Sequence, residues 1–185
     1  RSAEDTNAPE QASKQLRAGA ARVNITPPLG LKIIGGWQPF PATHVHDELH
    51  ARCLVLDNGS ARIGFVVCDN LGIPRDVYDL ARRCIGAETK LAPEHVLMCS
   101  THTHSAVTAG GRVSLGGDAV FEYKRFLARR IADGVRRAIN NLAPARIGWG
   151  AVDVPEHVHN RRWLMKPGPH LANPFGGMDT ARMNP

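Results

Sequence analysis

The stretch of sequence that decides the fold is CLVLDNGSARIGFVVC, residues 53–68. It consists of two apolar runs separated by a short polar segment that contains Asn58-Gly59. An Asn-Gly pair between apolar runs is the strongest short-range signal of a β-hairpin, because both residues accept the positive φ angles that a tight turn requires. The sequence therefore predicts an antiparallel hairpin over residues 48–69.

Outward from the hairpin, the chain alternates between strand and helix patterns. Apolar residues at helical spacing predict two helices, and the second has Asp118 at the position of an N-cap. Short apolar or alternating runs predict three more strands. The predicted strands cover residues 21–26, 96–99 and 146–154, and the predicted helices cover 74–86 and 118–142. This order predicts an α/β (α+β) fold in which a mixed β-sheet is flanked by helices.

The two ends of the chain differ from its middle. Residues 1–18 are polar and rich in alanine, and the first residue is arginine. We therefore expect a flexible leader on an exported protein that has already lost its signal peptide. Residues 155–185 contain no periodic segment and are rich in Pro, Gly and Asn, so we expect residues 19–185 to be the N-terminal portion of a larger domain. A small complete domain with a disordered tail is the alternative.

The formal net charge is +6, and much of the excess lies on the second predicted helix. Glu122 and Asp133 moderate this positive charge, so we expect the solvated face of a helix and no nucleic-acid partner. Contact with an anionic membrane surface stays open. The basic residues of this segment are Lys124, Arg125, Arg129, Arg130, Arg136 and Arg137.

Two histidines follow the predicted strand 96–99, in the segment CSTHTHSA of residues 99–106. In an extended chain, residues i and i+2 point to the same side, so His102 and His104 would project into one space. Histidine is the commonest metal ligand and titrates near neutral pH, so the pair predicts a zinc or acid/base site. The neighbouring Thr and Ser hydroxyls are candidates to orient the imidazoles. Two polar residues on a surface loop are the alternative interpretation.

Two other groups of polar residues have structural explanations. His46 and Asp47 belong to a second His-x-His segment, and we expect them to brace the start of the hairpin. Asp69 directly follows a buried strand. We expect its carboxylate to bond to His104, to bond to loop backbone, or to cap the turn before the first helix.

Five segments occur in the order RVNITPPLG (22–30), HDELHARCLVL (46–56), VVCD (66–69), STHTHS (100–105) and NRR (160–162). Together they resemble the N-terminal catalytic region of the neutral/alkaline (non-lysosomal) ceramidases and their bacterial relatives. The resemblance extends over about residues 20–185. Its most specific part is the Thr-His-Thr-His-Ser motif.

The resemblance implies a zinc-dependent hydrolase of the N-acyl amide bond of ceramide, which is an N-acylsphingosine. It implies that His102 binds zinc, that His104 lies in the active site beside the metal, and that Arg161 lines the pocket. It also implies that the other zinc ligands (a His, a Glu and a Tyr) and the active-site Ser follow Pro185. The expected cofactor is Zn²⁺, and the expected partners are a lipid-like N-acyl substrate and the remainder of the same polypeptide.

The chain departs from the family pattern after the histidines, where Ser105-Ala106-Val107 replaces Ser-Gly-Pro at what we expect to be the border of the pocket. Two other functions stay open. A different metallohydrolase is one, because the His-Thr-His segment is similar to that of metallo-β-lactamases, although Ala106-Val107 replaces the Asp-His pair expected next. A non-catalytic relative whose zinc site has decayed is the other.

Overall fold

The computed structural model describes residues 15–36, 38–109, 117–158, 160, 162–168 and 171–183. The chain divides into two compact units, Arg1–Arg146 and Ile147–Pro185. The first unit contains the hairpin, both long helices and the two histidines, and the second contains the C-terminal segment.

A five-stranded mixed sheet forms the centre of the first unit, in the order β6-β5-β4-β1-β7. The pair β5 and β6 is parallel, and the other neighbours are antiparallel. Strands β2 and β3 form a separate antiparallel pair. The strands are β1 (Arg17–Asn24), β2 (Lys32–Ile33), β3 (Phe40–Pro41), β4 (His50–Asp57), β5 (Arg62–Cys68), β6 (Val96–Ser100) and β7 (Ala143–Pro144). The predicted mixed sheet flanked by helices is confirmed.

The predicted hairpin is β4 followed by β5, and its strands pair from Ala51 opposite Cys68 to Asp57 opposite Arg62. The connecting loop therefore spans residues 58–61, and it is longer than a two-residue turn. The Asn58 Oδ1 atom accepts hydrogen bonds from the backbone N–H groups of residues 60 and 61, at 3.0 and 2.8 Å. This side chain closes the loop by replacing backbone bonds with its own acceptor.

Two helices cover one face of the sheet, α1 (Arg75–Thr89) and α2 (Gly117–Asn140). Asp118 lies in the first turn of α2, where its negative charge suits the helix N-terminus, and not at the N-cap. The apolar stripe of each helix packs into a common core with alternate residues of the strands. Core residues include Val77, Ala81 and Ile85 of α1, Leu127, Ile131 and Val135 of α2, and Ala51, Cys53 and Val55 of β4.

The basic residues of α2 are largely paired with carboxylates. Asp133 accepts from Arg129, Arg130 and Arg136 at 3.1–3.4 Å. Arg129 also bonds to Glu88 on α1. These pairs are partly exposed, so each contributes little to the free energy of unfolding. They neutralise much of the helix's positive charge and link α2 to α1, which agrees with the predicted solvated face.

The face of the sheet opposite the helices carries exposed apolar side chains. Leu54 and Ile63 are each 39% exposed, and Leu97 of β6 is 61% exposed. Their neighbours along each strand are buried, because successive side chains of a strand point to opposite faces. Apolar residues on both faces of these strands resemble the pattern of a sheet that is covered on both sides.

The predicted strand 146–154 is wrong. Residues 145–154 form no strand, and Ile147, Trp149 and Val152 are 74%, 95% and 83% exposed. Apolar alternation makes a strand only where the backbone bonds to a neighbouring strand. Here the chain pairs with the edge of β1 only over Ala143–Pro144, and residues 146–154 continue without a strand partner.

The second unit contains an antiparallel pair, β8 (Arg162–Leu164) and β9 (Ala181–Met183). Between them, the Asn173 Oδ1 atom accepts from the N–H groups of residues 175 and 177, at 3.1 and 2.9 Å. Periodicity does not reveal this pair, because its strands contain only three residues each. Among the described helices of the whole chain, none is long and apolar enough to cross a membrane.

Glycine in the middle of α2 allows the helix to lie close to the sheet. A Cβ atom at Gly134 would fall 2.6 Å from the Cys53 Sγ atom and 3.1 Å from a Val23 methyl group. We therefore expect Gly134→Ala to lower the free energy of unfolding by about 1–3 kcal/mol, since an extra methyl overpacks a filled core.

The matched control is Gly86→Ala in α1, where the added Cβ would find its nearest neighbour at an ordinary 3.5 Å. There we expect a gain of about 0.5–1 kcal/mol, because glycine is a poor helix former. Urea unfolding followed by circular dichroism measures both values. A shift of the same sign in the two variants would contradict the close packing of α2 on the sheet.

Candidate functional site

The histidine motif lies at the edge of the sheet that is formed by the carboxyl ends of β5 and β6. Strands β5 and β6 are parallel neighbours, so both carboxyl ends reach this edge together. The turn 69–72 follows β5, and the loop 101–109 follows β6. In open α/β sheets, ligands bind outside the carboxyl ends of the strands. The topology therefore places the two histidines where such a fold ordinarily holds its ligand.

Hydrogen bonds join the loop that carries the histidines to the end of β5 and to the turn 69–72. The Thr101 N–H donates to the Cys68 carbonyl at 2.9 Å, and the His102 N–H donates to the Asn70 carbonyl at 3.1 Å. The hydroxyl of Thr108 donates to the Gly72 carbonyl at 3.0 Å. These bonds hold both the start of the histidine loop and Thr108, near its end, against the turn.

The His102 side chain is oriented by the same turn. Its Nδ1 atom lies 2.8 Å from the Leu71 carbonyl oxygen. A carbonyl oxygen only accepts, so Nδ1 is the protonated nitrogen and Nε2 keeps its lone pair. Backbone carbonyls commonly orient metal-ligating histidines in this way. The expected role of Thr and Ser hydroxyls as orienting groups is not seen at His102, because Thr103 Oγ1 instead accepts the Ser105 N–H at 3.4 Å.

The backbone of His102 is in the left-handed region, with φ of +62°. This conformation costs roughly 1–2 kcal/mol for a residue with a Cβ atom. Such strain persists only where the surroundings impose it, and it is concentrated at functional sites. Here the bonds to the carbonyl groups of Asn70 and Leu71 impose it.

His104 lies beside His102, and both side chains are exposed. The ring centroids are 5.0 Å apart, and the ring planes are nearly perpendicular at 81°. The β2 segment supports this part of the loop through a bridge between Ile33 and Val107. Gly35 lies directly against His104, so that a Cβ atom there would overlap the His104 carbonyl oxygen and Cα. The site therefore presents two imidazoles at the surface on a closely supported backbone.

Asn70 of the turn and Tyr123 of α2 form a buried polar pair, and they are 0% and 2% exposed. The Tyr123 hydroxyl donates to the Ile25 carbonyl at 3.0 Å and accepts from Asn70 Nδ2 at 3.4 Å. Burial raises the pKa of Tyr123 well above its usual range, so the phenol keeps its proton. This pair connects α2 and β1 to the turn that holds the histidine loop.

Of the other residues named from the sequence, those that the structure describes have partners of their own. Arg161 lies outside the described residues. The Asp69 carboxylate accepts from the His50 N–H at 3.1 Å and from Arg52 at 2.6 Å, so it bonds to backbone at the start of β4 rather than to His104. His46 and Asp47 pair with each other at 2.8 Å, and both side chains are 88% exposed.

The donors of a complete metal site are not all present in the described part of the chain. No group of three or more His, Cys, Asp or Glu side chains is arranged there to hold a metal ion. His102 therefore offers one ligand atom, Nε2. A separate apolar cleft of about 1010 Å³ lies between residues 26–32 and the first half of α2, and neither histidine lines it.

Sequence reasoning missed Asn70, Tyr123 and Gly35 as contributors to this site. Asn70 follows Asp69 directly after a buried strand, and a second polar residue at a strand end adjoining the motif was a usable signal. Tyr123 lies on the apolar face of α2, within the core. Its hydroxyl is the feature that periodicity ignores. The contact between Gly35 and His104 has no local signal, because the residues are far apart in the sequence.

The close approach of Gly35 generates a test. We expect Gly35→Ala to displace the His104 backbone and to lower the free energy of unfolding by about 1–3 kcal/mol, because the added methyl meets backbone atoms that cannot rotate away. The matched control is the adjacent Gly36→Ala, where the added Cβ would meet nothing within 4 Å. NMR shifts of the His104 ring and urea unfolding measure both effects. Equal shifts of His104 in the two variants would contradict the described contact.

The fold is similar to that of solved ceramidase structures. The crystal structure of neutral ceramidase from Pseudomonas aeruginosa matches with a TM-score of 0.59 at 20% identity, over 70% of this chain and 22% of that chain. A ceramidase complexed with C2 matches with a TM-score of 0.56, at the same identity and the same coverage of both chains. Comparisons with protein-family models and with curated proteins give no match.

This chain thus spans about a fifth of the length of the two ceramidase structures, since the matched region is 22% of each. At 20% identity the likeness shows a shared fold. It also supports the resemblance to neutral ceramidases that the sequence motifs indicate. The structure and the comparisons together show a ceramidase-like fold, in which two neighbouring histidines follow the carboxyl end of one of two parallel strands.

Proposed function

We propose that this protein is a zinc-dependent hydrolase that cleaves an N-acyl amide bond, with a ceramide-like lipid as its substrate. The observation that carries the proposal is the orientation of His102, whose Nδ1 donates to the Leu71 carbonyl and whose Nε2 is left as an exposed lone pair beside His104. The ceramidase-like fold supports the choice of reaction.

The residues that are present fit a zinc ion at His102. Zinc prefers a neutral imidazole nitrogen among its ligands, and its catalytic sites combine three protein ligands with an open position. A histidine with a protonated, carbonyl-bonded Nδ1 offers Nε2 as that ligand. The remaining ligands of the proposed site are those that the family resemblance implies after Pro185, namely a His, a Glu and a Tyr.

When zinc is bound, it supplies a hydroxide at neutral pH and polarises a carbonyl. His104 is exposed beside His102, and an imidazole in this position suits the role of general acid or base in amide cleavage. In this proposal Arg161 orients the amide or a substrate hydroxyl with its planar set of N–H donors. The bonds to Asn70 and Leu71 that impose the strained backbone of His102 also hold this ligand in place before substrate arrives.

The departure from the family pattern at Ala106-Val107 affects the interior of the fold. Their side chains are 2% and 3% exposed, and Val107 belongs to the hydrophobic core. Both side chains turn inwards, and the expectation that this change borders the pocket stays a prediction. The substitution alters how the histidine loop is anchored, and it leaves the exposed surface beside the histidines to other residues.

The proposal predicts separate effects at the two histidines. His102→Asn should strip zinc and reduce amide hydrolysis to background, because a ligand is lost while asparagine still tolerates the left-handed backbone. His104→Gln should retain zinc and lower kcat by about 10²–10⁴-fold, as loss of a general acid or base does. The measurements are metal analysis and kinetics on a panel of N-acylsphingosines, made on the longer protein that supplies the ligands proposed after Pro185.

The matched control is His95→Asn, because His95 is exposed and directly precedes β6, at the opposite end of that strand from the histidine motif. It should keep both zinc and activity. Full zinc retention and activity in His102→Asn would overturn the metal assignment. If the wild type binds zinc and cleaves no N-acyl substrate, the metal assignment stands and the ceramidase activity is excluded. If the wild type binds no zinc, the protein is instead a non-catalytic relative.

A further inference from the structure

We propose that Asn70 is a positioning residue for His102. Its buried side chain fixes the turn 69–72 so that the Leu71 carbonyl holds His102 in the Nδ1–H tautomer, which keeps Nε2 available. The use of Nε2 as a zinc ligand rests on the proposed function, whereas the control of the tautomer does not.

The burial of Asn70 requires an explanation. Apart from Tyr123, it is the one polar residue among the buried residues that the structure describes, and it is 0% exposed. Burial of an amide without hydrogen bonds costs about 1–3 kcal/mol in proteins. An apolar residue at the end of β5 would avoid this cost. The role of the Asn70 amide therefore lies in the groups that its hydrogen bonds hold in place, which are those of the turn 69–72.

The orientation of the Asn70 amide is fixed by Tyr123. The Tyr123 hydroxyl uses its only hydrogen on the Ile25 carbonyl, at 3.0 Å. Its oxygen can then only accept, so the group that faces it at 3.4 Å is the NH₂ of Asn70. The Asn70 Oδ1 atom consequently faces the other way, where it accepts the Gly72 N–H at 3.0 Å.

The bond from Gly72 closes an Asx turn, in which an asparagine oxygen accepts from the backbone two residues later. This closure sets the peptide groups between Asn70 and Gly72. It directs two successive carbonyls at one residue, because the Asn70 carbonyl accepts from the His102 N–H and the Leu71 carbonyl accepts from His102 Nδ1. Loss of the Asn70 acceptor would free the turn and release the imidazole between its two neutral tautomers.

The test is the tautomer of His102 in protein labelled with ¹⁵N-histidine. Long-range ¹H–¹⁵N NMR at alkaline pH, where the ring is neutral, should show the pure Nδ1–H form in the wild type. Asn70→Ala should give a mixture of both forms. Asn70→Ser should restore the Nδ1–H form in part, because a serine hydroxyl closes the same kind of turn more weakly.

Two controls separate positioning from general destabilisation. Asn58→Ala removes the same kind of side-chain turn from the tip of the hairpin, remote from His102. Ile85→Val removes a methyl group from the core near the C-terminal end of α1, outside the chain of bonds from Tyr123 to His102. Both should leave the His102 tautomer as in the wild type. A pure Nδ1–H form in Asn70→Ala, or an equal change in Ile85→Val, would overturn the inference.

Zinc titration of the longer protein, which supplies the ligands proposed after Pro185, then tests the proposed function separately. If His102 is a zinc ligand, Asn70→Ala should weaken zinc binding by about 10–100-fold, which is the usual effect of losing a group that orients a ligand. A wild type that shows the Nδ1–H form and binds no zinc would leave the role of Asn70 intact and refute the zinc hydrolase. An unchanged tautomer in Asn70→Ala would refute the role of Asn70 whatever the zinc affinity.

Discussion

The parallel pairing of β5 with β6 is the constraint on which the rest of the first unit depends. Parallel neighbours cannot be joined by a short turn, so the chain must cross over through a helix, and α1 is that helix. The same pairing brings the ends of both strands to one edge, where Cys68 lies opposite Ser100. The turn after one strand and the histidine loop after the other then lie side by side. The adjacency of the two loops follows from the sheet topology, without any special property of the loops.

Within that edge, the free energy of a strained residue is balanced by bonds to a buried anchor. The left-handed backbone of His102 costs roughly 1–2 kcal/mol. Each hydrogen bond between the loop and the turn contributes about 0.5–1.5 kcal/mol net, and the His102 backbone and ring make one each. The acceptors are themselves fixed, because Asn70 and Tyr123 lie in the core. An exposed imidazole is therefore held in one orientation by groups that are anchored in the core.

Local signals were sufficient for most of the fold. Asn58-Gly59 and the helical stripes predicted the hairpin and both helices, because each of these elements satisfies its own backbone bonds or those of its neighbour in sequence. The strand expected over 146–154 required an edge elsewhere in the molecule, and Ile147 and Trp149 are exposed instead. Tertiary context decides strand formation more strongly than it decides helix formation.

The candidate site shows the same division. The sequence motif locates His102 and His104 after β6, but the extended geometry expected there is replaced by a φ of +62° at His102. The rings approach to 5.0 Å because the loop folds back over the turn and over Gly35, a contact distant in the sequence. The tautomer of His102 depends on a carbonyl, which every residue possesses and no motif can record. It is set by the Asx turn at Asn70, and hence by a phenol on α2 whose position is fixed only when the helix packs on the sheet. The tautomer of an exposed histidine thus depends on how α2 packs in the core of the same unit.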